Sequence, residues 1–155
     1  MNRVEISAEE EPPPLWCNSL KKYALKVLDR MGRDKWDLSI LLCGDQTITD
    51  LNSRYRGKNE ATDVLSFNLN EGGGGGGVSP AALPYVPAGD IVISLDTLRE
   101  NADHFKVNED EELRRLLIHG ILHLDGMDHQ TNKETEPMLR FQEQILTELA
   151  QERII

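Results

Sequence analysis

The stretch LRRLLIHGILHLDGMDH, Leu113–His129, combines a strongly apolar helical pattern with three of the four histidines in the chain. Its leucines and isoleucines recur on more than one side of a helix, which is typical of a helix buried inside a domain. Gly126 ends this helix, because glycine favours the backbone conformations found just beyond helix C-termini. The stretch therefore predicts a buried helix that carries a cluster of histidines at its C-terminal end.

The segments around this helix predict an α+β domain, α/β-like in its element order, in which a small mixed sheet of about four strands packs with about five helices. Apolar runs and alternation predict the strands RVEIS, WDLSILLCG, TDVLSF and GDIVISL. Helical periodicity and capping residues predict helices over Leu15–Met31, over about 46–55 after a cap at Asp45, from Ser94 or Asp96 to about Phe105, from Asn108, and from about Asn132 with Pro137 near the first turn.

Length and composition predict one domain over residues 1–155, with a flexible glycine-rich insertion at about 68–89 that contains the run Gly72–Gly77. No apolar run approaches the roughly 20 residues that cross a bilayer. The N-terminus lacks the basic start and apolar run of a secretory signal. Cys17 and Cys43 are isolated and predict reduced thiols. These features predict a cytoplasmic protein without a membrane partner.

The charge is acidic in total but uneven along the chain. A formal net charge of −10 argues against a protein that coats nucleic acid through its overall field. Lys22, Lys26 and Arg30 nevertheless form a stripe on the first predicted helix, and SRYRGK, residues 53–58, contains three basic residues and no acid. Two interpretations stay open: a local basic surface for a polyanion, or ordinary solvated faces.

The spacing of the histidines predicts a metal site. His119 and His123 are four residues apart and share one face of the helix. Gly126 lets the chain reverse, so that His129 returns toward the same ion. Neutral imidazoles suit Zn²⁺, and three protein ligands leave a fourth position for water, as in catalytic zinc sites. Nickel and iron also accept three imidazoles, so the identity of the metal stays open. His104 lies outside the pattern and is predicted to be a surface residue.

The same spacing occurs in metzincin proteases, whose signature is His-Glu-x-x-His-x-x-Gly-x-x-His. The glutamate of that signature is the general base, and Gly120 stands in its position here. The sequence therefore disfavours a protease, and proton transfer would depend on metal-activated water or on another residue. Asp128 has two candidate roles: accepting a hydrogen bond from a ligating imidazole, or capping the turn.

Three segments of the chain resemble the YbeY family of bacterial metal-dependent endoribonucleases. HGILHLDGMDH resembles the histidine signature of that family, LNSRYRGKNEATDVLSF its arginine-containing second motif, and GDIVIS the strand before its metal-bearing helices. The resemblance spans roughly residues 36–150. Ala61 and Asn68 depart from the family pattern, since proline is usual at both positions, and the six consecutive glycines are also foreign to it.

The resemblance implies a single metallohydrolase domain that acts as a zinc-dependent, single-strand-specific endoribonuclease. The implied role is maturation of the 3′ end of small-subunit ribosomal RNA, together with ribosome quality control. The implied partners are ribosomal RNA and the small subunit or its proteins, and no DNA is expected. One Zn²⁺ ion would be bound by His119, His123 and His129.

The resemblance also implies that Arg56 is the functional arginine of the family, so that Arg56 and His119 are the predicted catalytic residues. A guanidinium offers a planar fork of donors for phosphate oxygens and stabilises the charge that develops during cleavage. Lys58 and Arg54 are further candidates for binding the RNA backbone. Attack by metal-activated hydroxide and attack by the ribose 2′-hydroxyl both stay open. A ribosome-assembly factor with a structural zinc ion is the alternative function, and a metalloprotease without its usual base is a third.

Overall fold

One mixed sheet organises the described residues, 1–68 and 85–155, of the computed structural model. Within these residues there are four strands and five helices, so the predicted α+β architecture is confirmed. Their order is β1 (Arg3–Ala8), α1 (Cys17–Arg30), β2 (Trp36–Cys43), α2 (Asp45–Arg56), β3 (Val64–Asn68), β4 (Val86–Ser94), α3 (Leu95–Phe105), α4 (Glu109–Leu124) and α5 (Pro137–Glu148).

The strands lie in the order β1-β2-β4-β3. β1, β2 and β4 run parallel to one another, while β3 pairs antiparallel with β4, with Val64 opposite Ile93 and Phe67 opposite Asp90. β2 and β4 are therefore interior strands, which is why their sequences are almost continuously apolar. β3 lies at the edge of this sheet, and its position determines where the functional site can form.

The two faces of the sheet are covered differently. Ile91 and Ile93 belong to the large core, which also contains residues of α1, α4 and α5, whereas Val92 between them belongs to a smaller cluster with Ile48 of α2. Alternate residues of a strand point to opposite faces, so α2 and α4 lie on opposite sides of the sheet. Among the described residues, no strand pairs with the outer edge of β3.

The predicted buried helix is confirmed as α4. Leu113, Leu117, Ile118, Ile121 and Leu122 are fully buried on it, and burial of each such side chain is worth about 1.5–3 kcal/mol. Asn108 caps the helix as predicted, because its side chain accepts a hydrogen bond from the backbone N–H of Glu111.

Gly120 is the point of closest approach between α4 and the sheet. A Cβ atom there would meet two methyl groups of Ile91 at 3.1 Å and the hydroxyl of Ser66 at 3.3 Å. That hydroxyl donates a hydrogen bond to the carbonyl of Gly120 at 3.2 Å. A glutamate at position 120 would have to enter between helix and sheet, so the fold itself has no place for the protease base.

Some helices begin at residues other than the predicted ones. Of the two predicted caps of α3, Ser94 and Asp96, the structure has Ser94. Gly44 rather than Asp45 precedes α2, and the Asp45 carboxylate instead accepts a hydrogen bond from the Ser94 hydroxyl at 2.7 Å. The last helix begins at Pro137 and not near Asn132. Proline suits the first turn of a helix because no intrahelical partner exists for the missing N–H.

The predicted insertion lies mostly outside the described residues, which stop at 68 and resume at 85. Its two ends are regular structure: Asn68 is the last residue of β3, and 86–89 form the start of β4. The run Gly72–Gly77 falls between the described segments. Within the described residues, no helix has the length and apolar character needed to cross a membrane.

Candidate metal centre

The three histidines predicted as metal ligands lie together. His119 and His123 project from the last two turns of α4, and His129 lies in the segment that follows. One ring nitrogen from each residue falls within a group whose members are all within 4.8 Å of one another. The ring centroid of His119 lies 4.6 Å from that of His123 and 5.2 Å from that of His129. Such a group could hold a metal ion.

The turn after α4 brings His129 back toward the helix. Gly126 has a φ angle of +91°, a backbone conformation that residues other than glycine rarely adopt. The N–H of Met127 then donates to the carbonyl of Leu122 at 3.0 Å, which closes the turn against the helix. An ion pair between Arg33 and Asp125, at 2.8 Å, fixes the same turn from outside. The glycine predicted to reverse the chain therefore does so.

The hydrogen bonds of two rings determine which nitrogen faces the centre of the cluster. Nδ1 of His123 lies 3.0 Å from the carbonyl of Met127, and Nδ1 of His129 lies 2.8 Å from the carbonyl of Thr131. A carbonyl oxygen only accepts, so each Nδ1 must carry the proton and donate it. Nε2 of both rings is then an unprotonated donor atom for a metal.

Gln142 of α5 does the same for His119. Its Oε1 lies 2.7 Å from Nδ1 of His119, while its Nε2 donates to the Glu143 carboxylate at 3.1 Å. Because an ionised carboxylate only accepts, the amide is oriented with its oxygen toward the imidazole. Burial raises the pKa of Glu143, but hydrogen bonds from Arg115 and Gln142 outweigh this and lower it, which favours the ionised form. The sequence analysis missed Gln142, since nothing in its spacing connects it with α4.

The resulting arrangement suits a cation. Nε2 of His119 and Nε2 of His123 are 3.0 Å apart, and both are unprotonated once each Nδ1 donates. Two lone pairs that face each other repel, and a cation between them removes the repulsion. Burial lowers the pKa of His119 and of His123, and the neighbouring His119 lowers that of His123 further. Both rings are thus held in the neutral form that binds metals.

A cleft of about 540 Å³ extends from the histidines along the edge of the sheet. One wall is the C-terminal end of α4, and the other is formed by the end of α2 and the start of β3. The side chains that matter for the chemistry on these walls are Arg56, Lys58, Asp63, His119, His123 and Asp128. The motif around Arg56 and the histidine motif, 60 or so positions apart in the sequence, therefore border one cavity.

Arg56 is the last residue of α2, and its exposed guanidinium lies at the cleft. One of its nitrogens donates to the backbone carbonyl of Ser66 in β3 at 2.9 Å, which leaves the other donors of the fork for a ligand. Lys58 follows after the turn at Gly57 and also lines the cleft. Arg54 is exposed on α2 but is not among the residues that line it.

Three acidic residues line the cleft, namely Glu60, Asp63 and Asp128. Asp128 accepts a hydrogen bond from the backbone N–H of His129 at 2.8 Å, while the Nδ1 atoms of the three imidazoles face Gln142 and backbone carbonyls. Asp63 was not singled out from the sequence. Its carboxylate accepts from the side chain of Asn101 at 3.0 Å and from the N–H of Val64 at 2.8 Å.

The basic stripe of α1 faces another part of the molecule. Lys26 forms an ion pair with Glu152 at 2.6 Å, and Arg30 pairs with Glu148 of α5. None of the stripe residues lines the cleft as it is formed by the described residues. These ion pairs disfavour the first of the two interpretations, a basic surface for a polyanion, because Lys26 and Arg30 are already paired with carboxylates.

The chain is similar to proteins of known type over nearly its whole length. A family model described as Endoribonuclease YbeY matches residues 5–150. A relative named Endoribonuclease YbeY from Treponema pallidum (strain Nichols) is 45% identical over 148 residues, which cover 96% of this chain and 90% of the relative. The relative of the same name from Treponema denticola is 42% identical over 146 residues, covering 94% of this chain and 92% of the relative.

A solved structure has a similar fold. A protein from Thermotoga maritima, whose structure was determined in solution, is 26% identical to this chain. The two superpose with a TM-score of 0.60, over 97% of this chain and 93% of the other.

Proposed function

Because this chain belongs to the YbeY family of endoribonucleases, we propose that it is a zinc-dependent endoribonuclease that cleaves single-stranded ribosomal RNA. Its role would be maturation of the 3′ end of the small-subunit ribosomal RNA and ribosome quality control, which implies a cytoplasmic location. The observation that carries this proposal is a cluster of three imidazoles, two of which, His119 and His123, line a cleft that also contains Arg56. Relatives at 42–45% identity that are named as endoribonucleases support the RNA substrate.

His119, His123 and His129 would hold one metal ion through Nε2, each oriented by the hydrogen bond at its Nδ1. When bound there, zinc polarises a phosphoryl oxygen and lowers the pKa of water toward about 7. What the chain adds is a fixed set of ligands, because the turn at Gly126 and the amide of Gln142 hold the rings in place.

Arg56 would bind the scissile phosphate. Cleavage of a phosphodiester builds negative charge on the phosphoryl oxygens, and a guanidinium held at that position stabilises it. The fork of Arg56 is anchored on one side by the carbonyl of Ser66, so that part of its orientation is set before the RNA binds. Lys58 would contribute a second positive charge toward the RNA backbone, and Arg54, outside the cleft, would contribute less.

The two routes of attack differ in their products. Direct attack by water leaves a linear phosphate on one fragment, whereas attack by the ribose 2′-hydroxyl leaves a 2′,3′-cyclic phosphate. An end analysis of the fragments from a labelled oligoribonucleotide therefore distinguishes them. Replacing the 2′-hydroxyl at the cleavage site with hydrogen gives an independent test, since only the second route requires it.

The central experiment combines metal analysis with an RNA cleavage assay. The full-length protein, purified without a metal-binding tag, should contain about one metal ion per chain and cleave a labelled single-stranded RNA. A chelator should abolish cleavage, and addition of zinc should restore it. Cleavage that persists without metal would contradict the proposal.

A ribosome-assembly factor with a structural metal ion is the second candidate function. The net charge of −10 favours it, because an acidic surface can dock on basic ribosomal proteins. In that case the purified protein with its metal would bind small subunits without cutting RNA, and chelation would weaken this binding because a structural metal ion supports the fold. The position of the histidines on the wall of a cleft favours catalysis over this alternative.

A further inference from the structure

A solvent-exposed aromatic residue, Tyr55, precedes Arg56 of the cleft in the chain. Tyr55, the penultimate residue of α2, is 61% exposed. Its ring nevertheless has a fixed neighbour, because it packs edge-to-face against Phe67 of β3, with centroids 5.4 Å apart and an interplanar angle of 67°. Phe67 is itself packed against the small hydrophobic cluster on the α2 face of the sheet. Tyr55 is therefore a supported ring with much of its surface free.

Phe67 connects this ring with the proposed phosphate site. The guanidinium carbon of Arg56 lies 6.0 Å from the centroid of Phe67, so Tyr55 and Arg56 flank the same side chain. The basic residues of the segment, Arg54, Arg56 and Lys58, form no ion pair with a carboxylate among the described residues. An exposed aromatic ring beside unpaired cations is the combination that single-stranded nucleic acids require.

We propose that Tyr55 is a stacking platform for an unpaired base of the RNA, next to the phosphate that Arg56 binds. This inference rests on the proposed endoribonuclease function and deepens it. Every base has a face that can stack on an aromatic ring, so the contact tolerates many sequences. A base inside a duplex is already stacked on its neighbours and offers no free face. The platform would therefore contribute a preference for single-stranded RNA.

Phe105 provides a matched comparison within the same protein. It is 62% exposed and is the last residue of α3, so it resembles Tyr55 in exposure and in its place at a helix end. The acidic residues Asp103 and Glu109 lie nearby in the chain, and Phe105 belongs to α3, which contributes no residue to the cleft, whereas α2 contributes Arg56. An RNA backbone is repelled by such acidic residues, so replacing Phe105 should leave RNA binding unchanged.

The test measures binding of a single-stranded oligoribonucleotide that contains 2-aminopurine, whose fluorescence is quenched when it stacks. Full-length wild-type protein is compared with Tyr55→Leu, Tyr55→Phe, Tyr55→Trp and Phe105→Leu, with a chelator present so that the RNA stays intact. Tyr55→Leu should weaken binding about 5- to 100-fold and reduce the quenching. The variants that keep a ring at position 55, and Phe105→Leu, should bind within about twofold of wild type. A duplex of the same sequence should bind equally to all of them.

Three outcomes would overturn the inference. Equal affinity of wild type and Tyr55→Leu for the single strand would remove the stacking role and leave Tyr55 as a contact for a protein partner. Equal losses in Tyr55→Phe and Tyr55→Leu would assign the effect to the hydroxyl. If circular dichroism shows that Tyr55→Leu is unfolded, the Tyr55→Trp variant becomes the test. A loss of RNA binding in Tyr55→Trp would contradict the stacking platform, because tryptophan keeps an aromatic ring at position 55.

The same samples separate this inference from the proposed function. After zinc is restored, one outcome is that the wild-type protein cleaves the oligonucleotide while Tyr55→Leu binds it as tightly as wild type does. That result would contradict the stacking role of Tyr55 and leave the proposed endoribonuclease function standing. Binding that depends on Tyr55 in a protein that never cleaves RNA supports the platform and overturns the proposed function.

Discussion

The two walls of the cleft are built in opposite ways. On the histidine wall, His119 and His123 belong to a helix whose apolar side chains are fully buried, and the Gln142 side chain behind them is only 6% exposed. On the arginine wall, Arg56 and Lys58 are exposed, and Arg56 donates a hydrogen bond to the carbonyl of Ser66. Tyr55, which precedes Arg56 in the chain, is exposed as well. One wall is therefore fixed by folding, whereas the other keeps most of its donors and surface for a ligand.

This difference implies a division of labour. Ligands for a small cation must meet within a few tenths of an ångström, which requires buried supports that hold each ring. RNA is long, flexible and highly charged, so exposed cations and an aromatic ring bind it without such supports. Substitutions on the histidine wall should therefore lower the metal content of the protein. Substitutions on the arginine wall should weaken RNA binding or cleavage and leave the metal content unchanged.

The largest effect is expected from His123→Ala. It removes one of three ligands, so the protein should lose stoichiometric metal, and cleavage should fall by about 1,000-fold or more. Metal content by mass spectrometry and initial rates on labelled RNA measure the two effects. His104→Ala is the control, because that histidine is exposed and lies outside the cluster. A His123→Ala variant that retains both metal and activity would contradict the division between the walls.

Arg56→Ala tests the opposite wall. Loss of one preorganised donor to a developing oxyanion costs about 100- to 1,000-fold in rate, and the metal content should stay at the wild-type level. Arg54→Ala is the matched control, since Arg54 is an arginine of the same helix outside the cleft. Arg56→Lys should recover only part of the rate, because an ammonium lacks the planar fork. Loss of metal in Arg56→Ala would show that the two walls are not independent.

Gln142→Leu weakens a support and keeps all three ligands. Metal affinity should fall about 10- to 100-fold, as is typical when the partner of a ligating histidine is removed. Nitrogen NMR of the imidazole should show a mixture of tautomers at His119 in place of one protonated Nδ1. Gln144→Leu is the control on the same helix, since Gln144 instead donates to Glu148. Unchanged affinity and an unchanged tautomer would mean that the buried amide does not position His119.

The histidine wall could be predicted from the sequence because its signals are local. His119 and His123 share a helix face by spacing alone, and Gly126 marks the reversal that returns His129. Gln142 could not be predicted, because its contact with His119 depends on how α5 packs against α4, and helix packing has no signature in residue spacing. The late start of α5, at Pro137 instead of near Asn132, has the same origin.

The sheet was also predictable, with four runs of strand-like residues in the correct order, although its strand order β1-β2-β4-β3 was not. Charge was the least informative signal. Lys26 and Arg30 looked as basic as Arg56 and Lys58, and only the folded chain distinguishes them. The first pair meets Glu152 and Glu148, whereas the second pair faces the cleft.

Lys58→Ala should give the smallest effect and tests that distinction directly. If Lys58 contacts one phosphate, its loss weakens binding about three- to fivefold and reduces the slope of log affinity against log salt by about 0.7. Lys22→Ala removes another exposed charge, on α1 and outside the cleft, and should leave both the affinity and the slope unchanged. Equal changes in the two variants would mean that RNA responds to net charge alone. The position of a cation on the arginine wall would then carry no information about where RNA binds.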